Sequence, residues 1–367
     1  MYKITIIIPV YNAGRYLKQL LESIINQTLD FKQIEVIMVD DCSIDNSREI
    51  MNQYSSKYKN FISLSLKTNN KIAGKARNEG VKAANGKYLM FADADDFLPC
   101  NACEIMYNTI EKMNADFITA NYKNADEDGT LWKYPIFNLK KYKNFKLSKT
   151  DYNKSFFVLN SSVCNKIFNR QFVQKNNLKF LEGVPAEDAY FTNMSFIKSK
   201  NVYYIKDIVY YYRQRNNNRG NNSVSFNCTR DYFRGINIAY KSIYENFKNH
   251  NLIAFYRYIY AKNMSYILYK FIDSTLLTDK ERIQILKDMR WFYELSKTLK
   301  VPACQKCQEM VIEKIIDKDY KCAIDYCKLI ADIRTYLTKE TKENMSRPDS
   351  NMYNQISEFD NEYCTDC

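Results

Sequence analysis

An α/β fold, a doubly wound and mostly parallel sheet flanked by helices and followed by a mainly helical C-terminal region, is what this sequence predicts. Three observations carry the prediction. Short apolar runs rich in β-branched and aromatic residues lie at Lys3–Val10, Ile34–Val39, Phe61–Leu66 and Tyr88–Ala92, the length of strands, the first fitting a central strand buried on both faces. Helical periodicity fills the intervals, so strand and helix alternate. Three of the four runs stop at polar residues: Tyr11, the pair Asp40-Asp41, and the cluster Asp93, Asp95 and Asp96. In a doubly wound sheet, ligands collect beyond the carboxyl ends of the strands.

The first run leads through the turn Tyr11-Asn12-Ala13-Gly14 into Leu17, Leu20, Leu21, Ile24 and Ile25, whose spacing of three and four marks an amphipathic helix. The second ends at Asp40-Asp41-Cys42-Ser43, after which Asp45, Asn46 and Ser47 supply helix-start chemistry for a segment reaching about Tyr58. The third gives way to a helix over Ala73–Ala84. The fourth, within KYLMFADADDFLP, stops abruptly at its acids. If the chain stays extended there, a period of two puts Asp93 and Asp95 on one face, close enough to share a divalent cation. The same acids also suit a solvated turn capping a helix that begins near Asn101. Asp116–Tyr122 reads as a further strand, Asp128-Gly129 as a turn and Leu131–Ile136 as the strand after it. From there to about Ser155 the chain is rich in Lys, Tyr and Asn and reads as a surface excursion.

Composition narrows the classes. The 367 residues are 46% hydrophobic and 26% charged with a formal net charge of +12, a folded protein drawn to something anionic: a nucleotide, an acidic glycan or phospholipid headgroups. A usage bias toward Lys, Asn, Ile and Tyr accounts for the basic balance equally well. No nucleic-acid module is present, so no nucleic-acid partner is expected. With eight glycines the chain has neither a dinucleotide fingerprint nor a P-loop, and a nucleotide would have to be held by side chains and a metal. No stretch approaches the ~20 apolar residues of a membrane span, and the first run is too short for a signal peptide. A cytosolic protein with reduced thiols is therefore expected, its eleven cysteines notwithstanding. Cys304, Cys307, Cys322 and Cys327 are the most plausible zinc set, although Cys322 and Cys327 read as helical.

ITIIIPVYNAGRYLKQLLESIINQT, VIMVDDCSIDNS and AGKARNEGVKAANGKYLMFADADDFLP resemble, in order and spacing over about residues 3–120, the three signature blocks of family 2 glycosyltransferases with the GT-A fold. The resemblance implies a nucleotide-sugar donor. It implies that Pro9, Tyr11 and Asp41 line the nucleobase and ribose pocket with Asp40 beside it, and that Arg77, in its Ala-Arg-Asn-x-Gly turn, lies along the donor. Asp93 and Asp95 would be the metal-binding pair, with Asp95 the direct ligand of Mn²⁺ or Mg²⁺. Cys42 departs from the pattern, since the family has Gly at that place in its turn.

Farther on, SVCNKIFNRQF (Ser162–Phe172) precedes GVPAEDAYFTNMSFI, where Pro185 sits at a helix start and Phe191, Met194 and Ile197 face inward. Glu187 and Asp188 fall in the first turn, where carboxylates commonly complement the helix dipole. The family carries a Glu-Asp pair here, and the resemblance makes Asp188 the general base toward the acceptor hydroxyl. Lys166 resembles a position serving packing or acceptor contact. Val209–Arg215, VYYYRQR, reads as a strand entering the polar segment Asn216–Ser225. By the resemblance that segment folds over the donor, with Arg213 or Arg215 reaching the diphosphate; an exposed loop with incidental arginines suits the same residues.

From Asp231 to about Tyr336 the pattern is helical, with aromatic stripes that fit a bundle core better than a membrane surface; peripheral contact with a membrane stays open. His250 reads as a helix end. The expected organisation is a GT-A domain over 1–225, with a nucleotide-binding half at about 1–120 and an acceptor half at about 121–225, then a helical region over 226–340 and a polar tail over 341–367. Together with the resemblance this points to inverting, metal-dependent transfer of a sugar from a nucleotide-diphosphate donor, a UDP-sugar first among them, to a hydroxyl of a glycan or lipid-linked acceptor in cell-surface polysaccharide or glycoconjugate synthesis. A nucleotidyltransferase would want the same strand-end acids but also a glycine-rich basic loop, which Tyr11–Gly14 is not. A catalytically idle glycan-binding or scaffold protein has no need of the aspartates or the Glu-Asp pair.

Overall fold

A computed structural model describes residues 2–135, 144–150, 155, 158–215, 228–301 and 306–344. Its strands are β1 (Ile4–Val10), β2 (Ile34–Asp40), β3 (Phe61–Ser65), β4 (Tyr88–Phe91), β5 (Phe117–Ala125), β6 (Leu131–Pro135), β7 (Phe145–Lys146), β8 (Lys166–Asn169) and β9 (Val202–Arg213). They form one sheet in the order β3-β2-β1-β4-β8-β5-β9-β7, with β6 paired to β5. The first four strands are parallel and alternate with helices α1 (Leu17–Ile25), α2 (Ser47–Lys57) and α3 (Gly74–Ala83), as the apolar runs predicted. α4 (Ala102–Met113) follows β4.

β1 is central, and its proline is placed where a central strand tolerates one. Val10 accepts from Asp41 on the β2 side, and Ile7 accepts from Ala92 on the β4 side. By alternation Pro9 faces the β4 side, past the last paired residues Ile7 and Phe91, so its missing N–H breaks no ladder bond.

Three elements escaped the sequence reading: β7, inside the stretch read as a surface excursion, β8 and the helix after it. β8 is antiparallel to both neighbours and wedges between β4 and β5; at four residues beginning with a lysine it carries no usable alternation. The helix after it, α5 (Arg170–Lys175), is six residues long and capped by the Asn169 side chain, which accepts from Phe172 N–H. β9 begins at Val202, seven residues before the expected start. Its register against β5 slips twice, which scrambles the period of two. Of the expected strand Leu131–Ile136, the last residue lies outside the described range, as do most of the excursion that follows it and the segment 216–227.

α6 (Glu187–Lys198) packs against the sheet through an aromatic cluster. Phe91, Phe168, Phe180 and Phe191 are all buried, with Phe180 and Phe191 stacked at 4.1 Å and Phe91 edge-on to Phe180 at 5.2 Å. Such pairs contribute about 0.5–1.5 kcal/mol each beyond their burial. The cluster joins β4, β8 and α6 directly beneath the site described below.

α7 (Arg230–Asn249), α8 (Ile253–Ile272), α9 (Asp279–Leu299), α10 (Lys306–Ile316) and α11 (Tyr320–Asn344) make up the helical region. α11 extends four residues into the expected tail; 345–367 lie outside the described residues. His250 does end a helix, α7. The chain divides into two compact units, Met1–Asn263 and Met264–Cys367. In the second, α9 opens with a capping box between Thr278 and Glu281, and buried Arg282 donates to the carbonyls of Phe271 and Ser274 at the end of α8. No helix among the described residues is long and apolar enough to cross a membrane. Cys304, Cys364 and Cys367 lie outside the described residues, and Cys307, Cys322 and Cys327 are not joined to one another by disulfides.

Candidate active site

The carboxyl ends of β1, β2 and β4 open on one edge of the sheet. Val10 lies opposite Asp40 in the parallel register, so Tyr11 and Asp41 leave neighbouring strands side by side. The loops they begin are knitted together: Asn12 N–H donates to Ser43 Oγ at 3.0 Å, Ala13 N–H to Ser47 Oγ at 2.8 Å, and Ile44 N–H to Asn12 Oδ1 at 2.9 Å. Tyr11 leaves its ring half exposed. Asp41 is buried and accepts from Asn70 N–H at 2.9 Å and Asn70 Nδ2 at 3.1 Å, which ties the segment after β3 to this wall. Asp40 is consumed internally: one oxygen accepts from Ser43 N–H at 3.0 Å, the other from Arg48 at 2.6 Å. Cys42 has φ 65°, the left-handed conformation that glycine adopts without strain. That accounts for the glycine expected here, and the Cys42 thiol contacts Leu66 O at 3.3 Å.

The acids after β4 are held one by one. Asp96 is fully buried and accepts from Tyr210 Oη at 2.6 Å and Arg213 N–H at 2.7 Å; Tyr210 Oη in turn accepts from Asp93 N–H at 3.0 Å. Burial, reinforced by Asp95 and Asp93, pushes Asp96 well above the usual carboxylate range. Asp96 is thus the anchor that fastens β9 to the acidic turn. Arg213, one of the two arginines offered for a diphosphate, is buried with all three guanidinium nitrogens committed: to Asp95 O at 2.7 Å, Glu127 O at 2.6 Å and Gln19 Oε1 at 2.6 Å. The rings of Tyr16 and Phe97 lie over it at 5.2 and 5.1 Å. Arg215, the other, pairs with Asp95 Oδ2 at 2.9 Å.

The Ala-Arg-Asn-x-Gly turn in α3 connects this edge to α6. Arg77 is buried and bridges Asp93 Oδ1 and Glu187 Oε1, each at 2.7 Å. Burial works against its charge, yet Asp93 and Glu187 outweigh it and hold the guanidinium above its ordinary pKa. Asn78 pins the segment before α6: its Nδ2 donates to Phe180 O at 3.0 Å and its Oδ1 accepts from Phe180 N–H at 2.9 Å. Gly74 and Gly80 permit close approach. A Cβ on Gly74 would lie 2.0 Å from Leu181 O, and one on Gly80 would lie 2.3 Å from Ile7 Cγ2. Sequence reasoning missed Asn78, Gly74 and Gly80; their only signal was that polar and small residues recur on a helix that must also pack.

Glu187 and Asp188 open α6 after Ala186, whose φ of 64° turns the chain abruptly. Burial pushes Glu187 up to about 7 and raises Asp188 too, with Arg77 the main opposing charge for each. Lys166, at the start of β8, is fully buried. Burial draws its ammonium down to about 7 against the pull of Asp188. Four oxygens, Asn160 O and Oδ1, Ser162 O and Asn165 Oδ1, lie within 3.1 Å of Nζ, and that many acceptors around one nitrogen favour the charged form. One connected set of groups thus contains the acids Asp93, Asp95, Asp96, Glu187 and Asp188 and the cations Arg77, Arg213, Arg215 and Lys166.

Among the described residues no three His, Cys, Asp or Glu side chains gather as a metal-binding group. The turn nonetheless has the chemistry a hard cation needs. Asp93 and Asp95 are hard oxygen donors, each with one oxygen outside its arginine pair. Burial leaves Asp95 short of compensating charge, and its pKa rises despite Arg215. A cation sharing ligands with a bound diphosphate fits these residues.

The sequence matches the family model described as glycosyl transferase family 2 over residues 5–175. It is 33% identical over 252 residues to the poly(ribitol-phosphate) beta-N-acetylglucosaminyltransferase TarP of Staphylococcus aureus, a match covering 67% of this chain and 73% of that protein. It is 32% identical over 211 residues to the poly(ribitol-phosphate) beta-glucosyltransferase of Bacillus spizizenii, covering 57% of this chain but only 32% of that longer protein. The fold matches the crystal structure of S. aureus TarS 1–349 in complex with UDP-GlcNAc, with a TM-score of 0.69 and 22% identity over 89% of this chain and 90% of that one. Motifs, sheet and relatives agree: the chain belongs to glycosyl transferase family 2 and has the GT-A fold.

Proposed function

We propose that this protein moves a sugar from a UDP-sugar to an acceptor hydroxyl with inversion at the anomeric carbon, and that Asp188 is the general base. The observation that supports this best is the Arg77 bridge. Asp93, on the donor side, and Glu187, the neighbour of Asp188, share one buried guanidinium, so the carboxylates for donor and acceptor belong to a single network. Tyr11 and Asp41 hold the nucleobase and ribose. As the acceptor oxygen attacks, its proton passes to Asp188 and the bond between the sugar and the diphosphate breaks; direct displacement inverts the centre. Burial lifts Asp188 toward the working pH, where a base is most useful. A Mn²⁺ or Mg²⁺ held by Asp95, with Asp93 beside it, would neutralise charge growing on the departing diphosphate.

The relatives guide the choice of substrates. TarP and the Bacillus enzyme are named for transfer to poly(ribitol-phosphate), and the TarS structure holds UDP-GlcNAc. A polyol-phosphate chain or a similar anionic glycan of the cell surface is therefore the acceptor class we favour, and the net charge of +12 suits a polyanion. The test is Asp188→Asn, assayed by UDP release from UDP-sugars and by calorimetric binding of UDP. Release should fall by about 10²- to 10⁴-fold with UDP binding retained. Normal turnover in the variant would remove Asp188 as base; failure of the wild type to bind UDP would overturn the donor assignment.

A further inference from the structure

The three arginines on the acidic turn are not equivalent. Arg77 is locked between two acids with 6% of its side chain exposed. Arg213 is locked by three oxygen acceptors and two rings. Arg215 stands apart. Its ion pair among the described residues is with Asp95 alone, at 2.9 Å, and 27% of its side chain is exposed. β9 ends two residues earlier at Arg213, and Gln214 N–H to Ala125 O at 2.8 Å is the last backbone bond before it. Among the described residues no ladder bond reaches the Arg215 backbone.

On the reading that Asp95 is the cation ligand, we propose that Arg215 occupies the cation site of the free protein, and that the divalent ion binds by displacing its guanidinium from Asp95. The logic is one of charge. Asp95 keeps about a fifth of its side chain exposed and shares the turn with Asp93 and Asp96, so without Arg215 its carboxylate would sit beside two other acids with no cation of its own. Arginine is the residue suited to fill that place, because its charge persists at any working pH. A divalent ion carries twice the charge and shares oxygen ligands with the donor, so the exchange favours the ion once a diphosphate is present. Arg215 then leaves Asp95 with its charge free to meet the incoming phosphates. The protein would bind Mn²⁺ weakly alone and well with nucleotide.

Mn²⁺ binding to the full chain, measured by electron paramagnetic resonance with and without UDP, tests this in the wild type, Arg215→Met and Arg215→Lys. Without UDP, Arg215→Met should bind Mn²⁺ about fivefold more tightly, equivalent to about 1 kcal/mol, as expected for a partly exposed ion pair. Arg215→Lys should stay near the wild type. With UDP, the gain should vanish, because the bound diphosphate gives the displaced guanidinium a new partner and so offsets the loss of its pair with Asp95. Equal tightening with and without UDP would mean that Arg215 acts only by long-range repulsion, and would overturn the proposal. Wild-type binding with UDP but no tightening in free Arg215→Met would overturn it too, leaving the cation reading intact. A wild type that binds no Mn²⁺ in either state would remove the cation reading and this inference together.

Discussion

Replacing Arg77 by methionine should be among the most damaging single changes in the first compact unit. The side chain is buried and makes two charge-assisted bonds of 2.7 Å, to Asp93 and Glu187. Each such bond contributes about 1.5–3 kcal/mol, for a gross loss of about 3–6 kcal/mol. The guanidinium no longer has to be desolvated, which returns part of that, but two acids remain unpaired in its place. Removal of one partner from a buried pair costs about 3–5 kcal/mol in comparable cases, and we expect that range here. Urea unfolding at pH 8, above the Glu187 pKa of about 7, followed by Trp132 fluorescence measures it, in a Trp291→Phe background so that the signal comes from the first unit. The triple variant Arg77→Met, Asp93→Asn, Glu187→Gln removes the stranded charges and should recover at least half of the loss. Arg77→Lys should lose about 2 kcal/mol, because one ammonium cannot serve two acids with a planar fork. A loss below about 1 kcal/mol for Arg77→Met would refute the bridge as a stabilising element.

Two other outcomes follow from the same site. Cys42→Gly should be neutral or stabilising by up to about 1 kcal/mol in thermal unfolding: relief of the left-handed strain, about 1–2 kcal/mol, is partly offset by glycine's greater freedom when unfolded. Cys42→Val should cost more than about 1 kcal/mol, since a β-branched residue resists positive φ; the opposite order would show that the turn is not what selects the residue. Glu187 makes stability depend on pH. Its folded pKa of about 7 lies above the ordinary 4.5, so between those values the folded state holds the extra proton. The cost of charging Glu187 is therefore absent below pH 4.5, grows as pH rises and is complete above 7, with an upper bound of about 3 kcal/mol. Glu187→Gln should flatten the stability curve across that window, and an unchanged slope in the variant would count against a buried, strained carboxyl.

The fold was legible in the first hundred residues because β1, β2 and β4 are buried on both faces, so that apolar runs and helical stripes alternate cleanly, with β3 at the edge completing the set. It became illegible where tertiary pairing overrides local pattern. β8 is a strand because β4 and β5 leave a gap of its width, and nothing in Lys166–Asn169 announces that. β9 hid its first half behind two slips of register. The candidate residues could be named from the chain by position for the strand-end acids and Tyr11 beside Asp41, and through the family resemblance for the Glu-Asp pair. What could not be named was which of them spend their charge on one another. Asp40 and Arg48, Asp96 and Tyr210, and Arg213 and the Asp95 carbonyl are long-range or turn-dependent pairs, and a one-dimensional pattern carries no signal for them.

That distinction reorganises the roles of the charged residues. A motif reading hands each arginine to the substrate, since arginine and diphosphate suit one another. Burial forbids so simple a division, because an acid withdrawn from water needs a partner whether or not substrate is present. Asp96 meets that need with a phenol and a backbone N–H, Asp93 with Arg77, and Asp95 with Arg215. Of these partners Arg215 has the greater exposure, 27% of its side chain against 6% for Arg77. The acidic turn is therefore held by Arg77 and Arg213 and paired at Asp95 with a third arginine, Arg215, an arrangement that, on the proposed reading, would present a preorganised ligand to an arriving cation while keeping the free protein stable.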